Sequence, residues 1–250
     1  MDFSFFLLAS IVFIAGFIDA IAGGGGLLTL PALLLFGVPA EFVFGTNKLI
    51  STLGTIVSTG RYFFSKRIVW KVCAFGAIFS LLGSSFAAGF VSHLPAKDVA
   101  SFIMLLLPIA GLLVMLPKKK ITEEKTLSDR QLLLRTATIT FMLGAYDGGF
   151  GPGTGTLLVF ALFGIVQISL LQAAATARFF NLLSNIGALA TFMWLGKVNY
   201  SIGLPIALFG IAGHWCGAHT ALKRGDQFVR KMLLISSALL FVGLILKYWL

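Results

Sequence analysis

Charge is what this sequence has least of. Only 11% of its 250 residues are charged and 58% are hydrophobic, whereas soluble domains carry about 25% charged residues. With a mean hydropathy of +0.98, that scarcity excludes an ordinary soluble chain and implies an integral membrane protein in a lipid bilayer. Cysteine is nearly absent too. Cys73 and Cys216 lie in apolar surroundings with no CxxC pair, which argues against a structural disulfide and a cysteine-based metal site. The three histidines, His93, His214 and His219, lack HExxH or other ligand spacing. His214 and His219 are five residues apart, about 140° around a helix, so they make no joint ligand pair. No GxSxG, P-loop or paired-carboxylate motif appears, and no catalytic residue, metal or cofactor is expected. Met1-Asp2 lead into the first apolar stretch without the basic n-region of a signal peptide. The net charge of +10 is read as basic cytoplasmic loops, with no nucleic-acid partner.

What the chain does have is long apolar runs. They fall near 3–22, 41–63, 68–92 and 98–116, then resume near 132–148, 169–195, 200–222 and 227–249. Each approaches the roughly 20 residues that a membrane-spanning helix needs. Two shorter runs, 27–38 and 156–166, follow glycine-rich stretches. A helix of about 12 residues rises about 18 Å, short of the roughly 30 Å hydrocarbon core, so these read as half-helices. The expected fold is all-α and membrane-embedded, with about eight long transmembrane helices plus two half-helices.

The halves repeat. GFIDAIAGGGGLL (16–28) aligns with GAYDGGFGPGTGT (144–156), placing Asp19 on Asp147. GTNKLISTLGTIVS (45–58) aligns with ATARFFNLLSNIGA (175–188), matching Thr46 with Thr176, Lys48 with Arg178, Ser51 with Asn181 and Thr55 with Asn185. FFSKRIVW (63–70) meets MWLGKVNY (193–200), and Gly83 meets Gly213, with the offset drifting only from 128 to 130. Residues 1–116 form the first transmembrane repeat, 117–130 (PKKKITEEKTLSDR) a charged cytoplasmic linker, and 131–250 the second repeat. Arg61, Lys66, Arg67 and Lys71 crowd a loop whose counterpart holds only Lys197. Lys223, Arg224, Arg230 and Lys231 crowd a loop whose counterpart, near Lys97 and Asp98, is balanced. Because Lys/Arg-rich loops stay cytoplasmic, corresponding loops lie on opposite sides. That is an inverted repeat, a common plan of secondary transporters.

In hydrocarbon, irregular backbone survives only inside protein or beside a water-filled cavity. GGGG (23–26) and GGFGPGTG (148–155) are therefore expected to break helices near the bilayer interior, with Gly24, Gly25, Gly151 and Gly153 presenting backbone to a ligand. Helix N-termini there favour anions. Lys48 and Arg178 fall in segments that should span, where a base faces a cavity or a partner. Lys48, Ser51 and Thr55 share one helical face, and Arg178, Asn181 and Asn185 repeat the spacing. The candidate substrate-binding set is Thr46, Asn47, Lys48, Ser51, Arg178, Asn181 and Asn185, with Gly24, Gly25, Gly151 and Gly153. Asp19 and Asp147 have open roles: pairing with a base, fixing the shape of a glycine break, or carrying a proton.

These stretches, with TNKL, ARFFNLLSNIGAL and GKVNY, resemble the TauE/SafE sulfite exporter family. The resemblance covers essentially the whole chain and is nearest to the family's bacterial inner-membrane branch of permease-like proteins, of the 4-toluene sulfonate uptake permease type. It implies a multi-pass protein of the bacterial inner membrane that moves sulfur-containing anions such as sulfite or organosulfonates. Apart from the resemblance, no ATPase domain fits in this length, so active transport would draw on an ion gradient and a coupling proton is a further candidate partner. The second half has Ala177 where the first has Asn47, so the two halves of the site differ. Sequence leaves open an anion channel on the same fold, and a membrane enzyme or assembly factor. Oligomeric state and transport direction are not encoded in any motif.

Overall fold

The computed structural model describes residues 3–95 and 128–249, without the side chains of 226 and 236–249. The apolar run at 98–116 and nearly all of the 117–130 linker lie outside the described residues. Among the described residues there are eight α-helices, a π-turn and no strand.

Helix α1 (Phe3–Ala22) ends on the four-glycine stretch, and the short α2 (Gly26–Leu35) follows it. Gly23 and Gly24 have φ of +80° and +101°, a backbone region that side chains disfavour and glycine does not. Helix α3 (Ala40–Phe64) starts behind Pro39, and α4 (Trp70–Ser92) follows after a short turn. In the second half, α5 (Asp129–Gly149) begins with a capping box in which Ser128 and Gln131 bond reciprocally, satisfying otherwise orphaned backbone donors. It ends at the second glycine stretch. There α6 (Thr154–Ala161) begins and runs into the π-turn Leu162–Val166. Ser169 and Gln172 form a second capping box at the start of α7 (Leu170–Trp194). The last helical stretch, α8 (Tyr200–Trp249), is interrupted by non-helical backbone at Gly225, which is where the sequence separates its last two apolar runs.

Among the described residues, three helices are long and apolar enough to cross a membrane: Phe3–Ala22, Trp70–Ser92 and Tyr200–Gly225. Eight was the sequence expectation. Helices α3 and α7 have 25 residues each, ample length for a span. Their hydropathy is lowered by a polar stripe that includes Lys48 and Arg178, and that stripe is buried inside the protein.

The packing crosses between the halves. Helix α1 lies along α8, α4 lies along α5 and α7, and α3 lies against α7 and α8. The contacts are close because glycine removes side chains from the seams. A Cβ at Gly16 would lie 2.7 Å from the Gly210 carbonyl oxygen, and one at Gly144 would lie 2.5 Å from that of Ser80. The half-helices are buried in different apolar clusters. Leu30 and Leu33 of α2 pack with Val12, Phe44 and Phe192; Leu158 and Val159 of α6 pack with Ile21, Tyr62 and Phe180.

Candidate functional site

The two glycine breaks touch. The Thr156 hydroxyl donates to the Ala22 carbonyl at 2.8 Å, and a Cβ at Gly155 would lie 2.6 Å from the Gly23 Cα. Helices α3 and α7 supply the bases beside this contact. Each aspartate is paired with the base from the opposite half. Lys48 Nζ lies 2.8 Å from Asp147 Oδ2, and Arg178 Nη1 lies 3.0 Å from Asp19 Oδ2. Lys48 is 2% and Arg178 1% exposed, so neither base reaches out to an interface.

The aspartates are held differently. Asp19 Oδ1 accepts from the Gly25 backbone N–H at 3.0 Å, which fixes the first residue after the left-handed glycines. Its backbone carbonyl accepts a second bond from Arg178 Nη1 at 2.5 Å. Asp147 Oδ2 accepts from the Ser184 hydroxyl at 2.6 Å. Lys48 Nζ also donates to Asn185 Oδ1 at 3.0 Å, and Asn185 Nδ2 donates to Thr55 Oγ1 at 3.4 Å. Breaking a buried pair by removing one partner leaves an uncompensated charge, so neither base is replaceable without its acid.

A small cavity opens among these groups. Of the residues singled out from sequence, Asn47, Lys48, Ser51, Gly151, Asn181 and Asn185 line it, together with both aspartates. Gly26 and Gly155 complete the wall. Arg178 Nη2 is buried without a hydrogen-bond partner and sits against Gly155, where an added Cβ would collide with it. Asn47 Oδ1 is likewise buried and unpartnered. The cavity thus combines a lysine ammonium, amide and hydroxyl groups, and backbone at the start of two half-helices. Such a lining can replace the hydration shell of a small oxyanion.

Some residues of the candidate set stand elsewhere. The Thr46 hydroxyl accepts from the Asn199 backbone N–H at 3.0 Å, and the matched Thr176 hydroxyl accepts from that of Val69 at 3.1 Å. Each threonine holds the turn before a helix of the opposite half. Gly25 lines a second, adjoining cavity with Asp19, Ser51 and His214. Gly24 and Gly153 shape the breaks without lining either cavity.

The sulfite exporter TauE/SafE family model matches residues 8–244. The chain belongs to that family. Its relatives are named as membrane transporters. A "Probable membrane transporter protein" of Haemophilus influenzae is 36% identical over 243 residues, covering 95% of this chain and 94% of the relative. The "Probable membrane transporter protein ORF9" of a Sinorhizobium species is 33% identical over 258 residues, covering 100% and 98%. YfcA of Escherichia coli K12, with the same description, is 32% identical over 244 residues, covering 96% and 88%. No solved structure matches. As a member of this family the protein is a membrane transporter, and the cavity between its glycine breaks is the candidate site.

Sequence reasoning missed His214 and Tyr62. The buried Tyr62 hydroxyl donates to the Ala20 carbonyl at 3.1 Å, and nothing in an apolar helix marks that tyrosine in advance. His214 was set aside for want of a ligand partner. Its neighbour Gly213 aligns with Gly83, so the duplication gives Ser84 as its counterpart. That change from serine to histidine was the available signal.

Proposed function

We propose that the protein is a secondary transporter of small sulfur-containing anions such as sulfite or organosulfonates. The substrate binds between the two halves of an inverted repeat, near the bilayer midplane. The observation that carries this reading is the buried polar cavity walled by Lys48, Asn181 and the two glycine breaks in a chain of a transporter family. Lys48 Nζ has three donors; Asp147 and Asn185 take two, leaving one for an anion. Arg178 Nη2 offers a further donor once Gly155 shifts.

The repeat reading is supported by contacts that exchange between the halves at matched positions. Asp19 pairs with Arg178 as Asp147 pairs with Lys48. Thr46 holds Asn199 as Thr176 holds Val69. Gly16 approaches Gly210 as Gly144 approaches Ser80. In this reading the bacterial inner membrane holds about eight spanning helices, with 61–71, 117–130 and 223–231 on the cytoplasmic side by their charge. Single cysteines introduced at Arg67 and Lys125, in a chain without Cys73 and Cys216, are expected to resist a membrane-impermeant thiol reagent added from outside. Labelling of either from the periplasmic face would reverse the orientation.

The decisive experiment is a proteoliposome uptake screen across sulfite, sulfate, thiosulfate, sulfoacetate and taurine. At least one is expected to accumulate against its own gradient when a proton gradient is imposed. Flux that only dissipates the anion gradient would make the protein a channel. No movement of any of these anions would remove the sulfur-anion reading.

A further inference from the structure

The proton partner has a candidate carrier beside the anion cavity. His214, on α8, is 3% exposed and stands behind Asp19. Its Nε2 lies 3.7 Å from Asp19 Oδ2, and its Nδ1 lies 3.2 Å from the Ser58 hydroxyl. Glycine makes the room: a Cβ at Gly54 would strike the imidazole ring, and one at Gly16 would lie 3.0 Å from its Cδ2. The ring lines the second cavity, and Asp19 and Ser51 belong to the walls of both cavities. The charged groups around His214 are Asp19 from α1 and, beyond it, Arg178 from α7. Helix α3 contributes Ser58 and Gly54, α2 contributes Thr29 on the cavity wall, and α6 contains no titratable residue. Lys48 is held by Asp147.

The other half lacks this arrangement. Ser84 stands at the position matched to His214, and Ser184 stands at that matched to Gly54, giving Asp147 a hydroxyl where Asp19 has an imidazole. One acid–base pair of the two therefore carries a third, titratable member.

We propose that His214 takes up the coupling proton and, through the shared Asp19 Oδ2, sets whether Arg178 is free to hold the anion. Ser58 has one hydroxyl proton, and Oγ lies 3.3 Å from the Thr55 carbonyl oxygen. Donating there, it accepts from Nδ1–H and leaves the Nε2 lone pair facing a carboxylate oxygen. A proton from water in the adjoining cavity adds to that lone pair, and the repulsive contact becomes an N–H⁺ donor to Asp19 Oδ2. The imidazolium then competes with Arg178 for the same oxygen, and the guanidinium, with Nη1 still held by the Asp19 carbonyl, gains one free Nη1 hydrogen beside Nη2 for an incoming anion. Charge balance favours the same order. Lys48, Arg178, Asp19 and Asp147 sum to zero, so a lone monovalent anion leaves a net charge in a buried, poorly solvated site, whereas anion plus proton leaves none. Proton and anion therefore load together, each raising the affinity for the other by the same factor.

This inference rests on the sulfur-anion reading, and the test separates the two. Binding of sulfate, thiosulfate and methanesulfonate, whose own charge is constant in this range, is followed by isothermal titration from about pH 4 to about pH 7.5, a window that reaches well to the acid side of the ordinary histidine pKa of about 6.5. Affinity is expected to tighten about tenfold towards the acid end, within the span usual for coupled sites. In His214→Gln the dependence should vanish. Ser58→Ala, which removes only the Nδ1 partner, should keep the dependence but move its midpoint, which a structural histidine would not do. Equal pH slopes in wild type and His214→Gln, or an unmoved midpoint in Ser58→Ala, would overturn the proposal. Binding of none of the three anions at any pH would instead remove the reading on which it rests.

Discussion

Replacing Lys48 by methionine is expected to abolish anion uptake and to lower stability by about 3–5 kcal/mol, the usual effect of stranding one member of a buried ion pair. Lys48 and Asp147 are 2.8 Å apart with almost no exposure. Methionine fills the space of the lysine stem, so the loss comes from the uncompensated Asp147 carboxylate rather than from a cavity. The double variant Lys48→Met/Asp147→Asn should recover most of that stability, because it removes both charges and leaves an amide facing the Ser184 hydroxyl that now bonds Asp147. Its uptake should stay absent, since the anion has lost its ammonium. Thermal melting in detergent reports the first quantity and proteoliposome flux the second. A double variant that melts like wild type and also transports would make this pair structural and move the anion elsewhere.

Much of the architecture can be read from the chain because it depends on signals of length and backbone. The apolar run 3–22 coincides with α1 (Phe3–Ala22), and the run 41–63 lies within α3 (Ala40–Phe64). Both glycine stretches interrupt helices because they supply the left-handed conformations the breaks use. What could not be read is partner choice. Duplication marks two acids and two bases as equivalent positions, but spacing cannot say that each acid crosses to the other half. Only packing decides that Asp19 meets Arg178, 159 residues away. Thr46 illustrates the same limit. Its place on the polar stripe suggests a ligand contact, yet its hydroxyl serves the Asn199 backbone, whose position depends on how α8 starts. The π-turn at Leu162–Val166, followed by Gln167 in a left-handed conformation, could not be read either: its Gly164 has no positive φ, and the residue that does is a glutamine.

A single methyl group at the contact between the breaks should separate geometric need from mere glycine preference. Gly23→Ala is expected to destabilise the protein by about 2–5 kcal/mol, whereas Gly37→Ala should cost only about 1–2 kcal/mol. Both residues have left-handed backbone, with φ of +80° and +83°, so both substitutions carry the same conformational penalty of about 1–2 kcal/mol. They differ in what surrounds the new carbon. A Cβ on Gly37 has nothing within 4 Å, whereas one on Gly23 falls onto the backbone of Gly155 and Thr156. Backbone cannot rotate away as a side chain does, so overpacking adds about 1–3 kcal/mol. It also strains the hydrogen bond from Thr156 to Ala22. The second effect is functional. Arg178 Nη2 packs against Gly155, which lines the cavity, so pushing the breaks apart displaces the guanidinium that the anion is proposed to meet. Gly23→Ala should therefore lose uptake even at temperatures where it remains folded, and Gly37→Ala should retain it. Equal melting shifts for the two variants would mean that the breaks do not bear on one another, and the site between them would lose its frame.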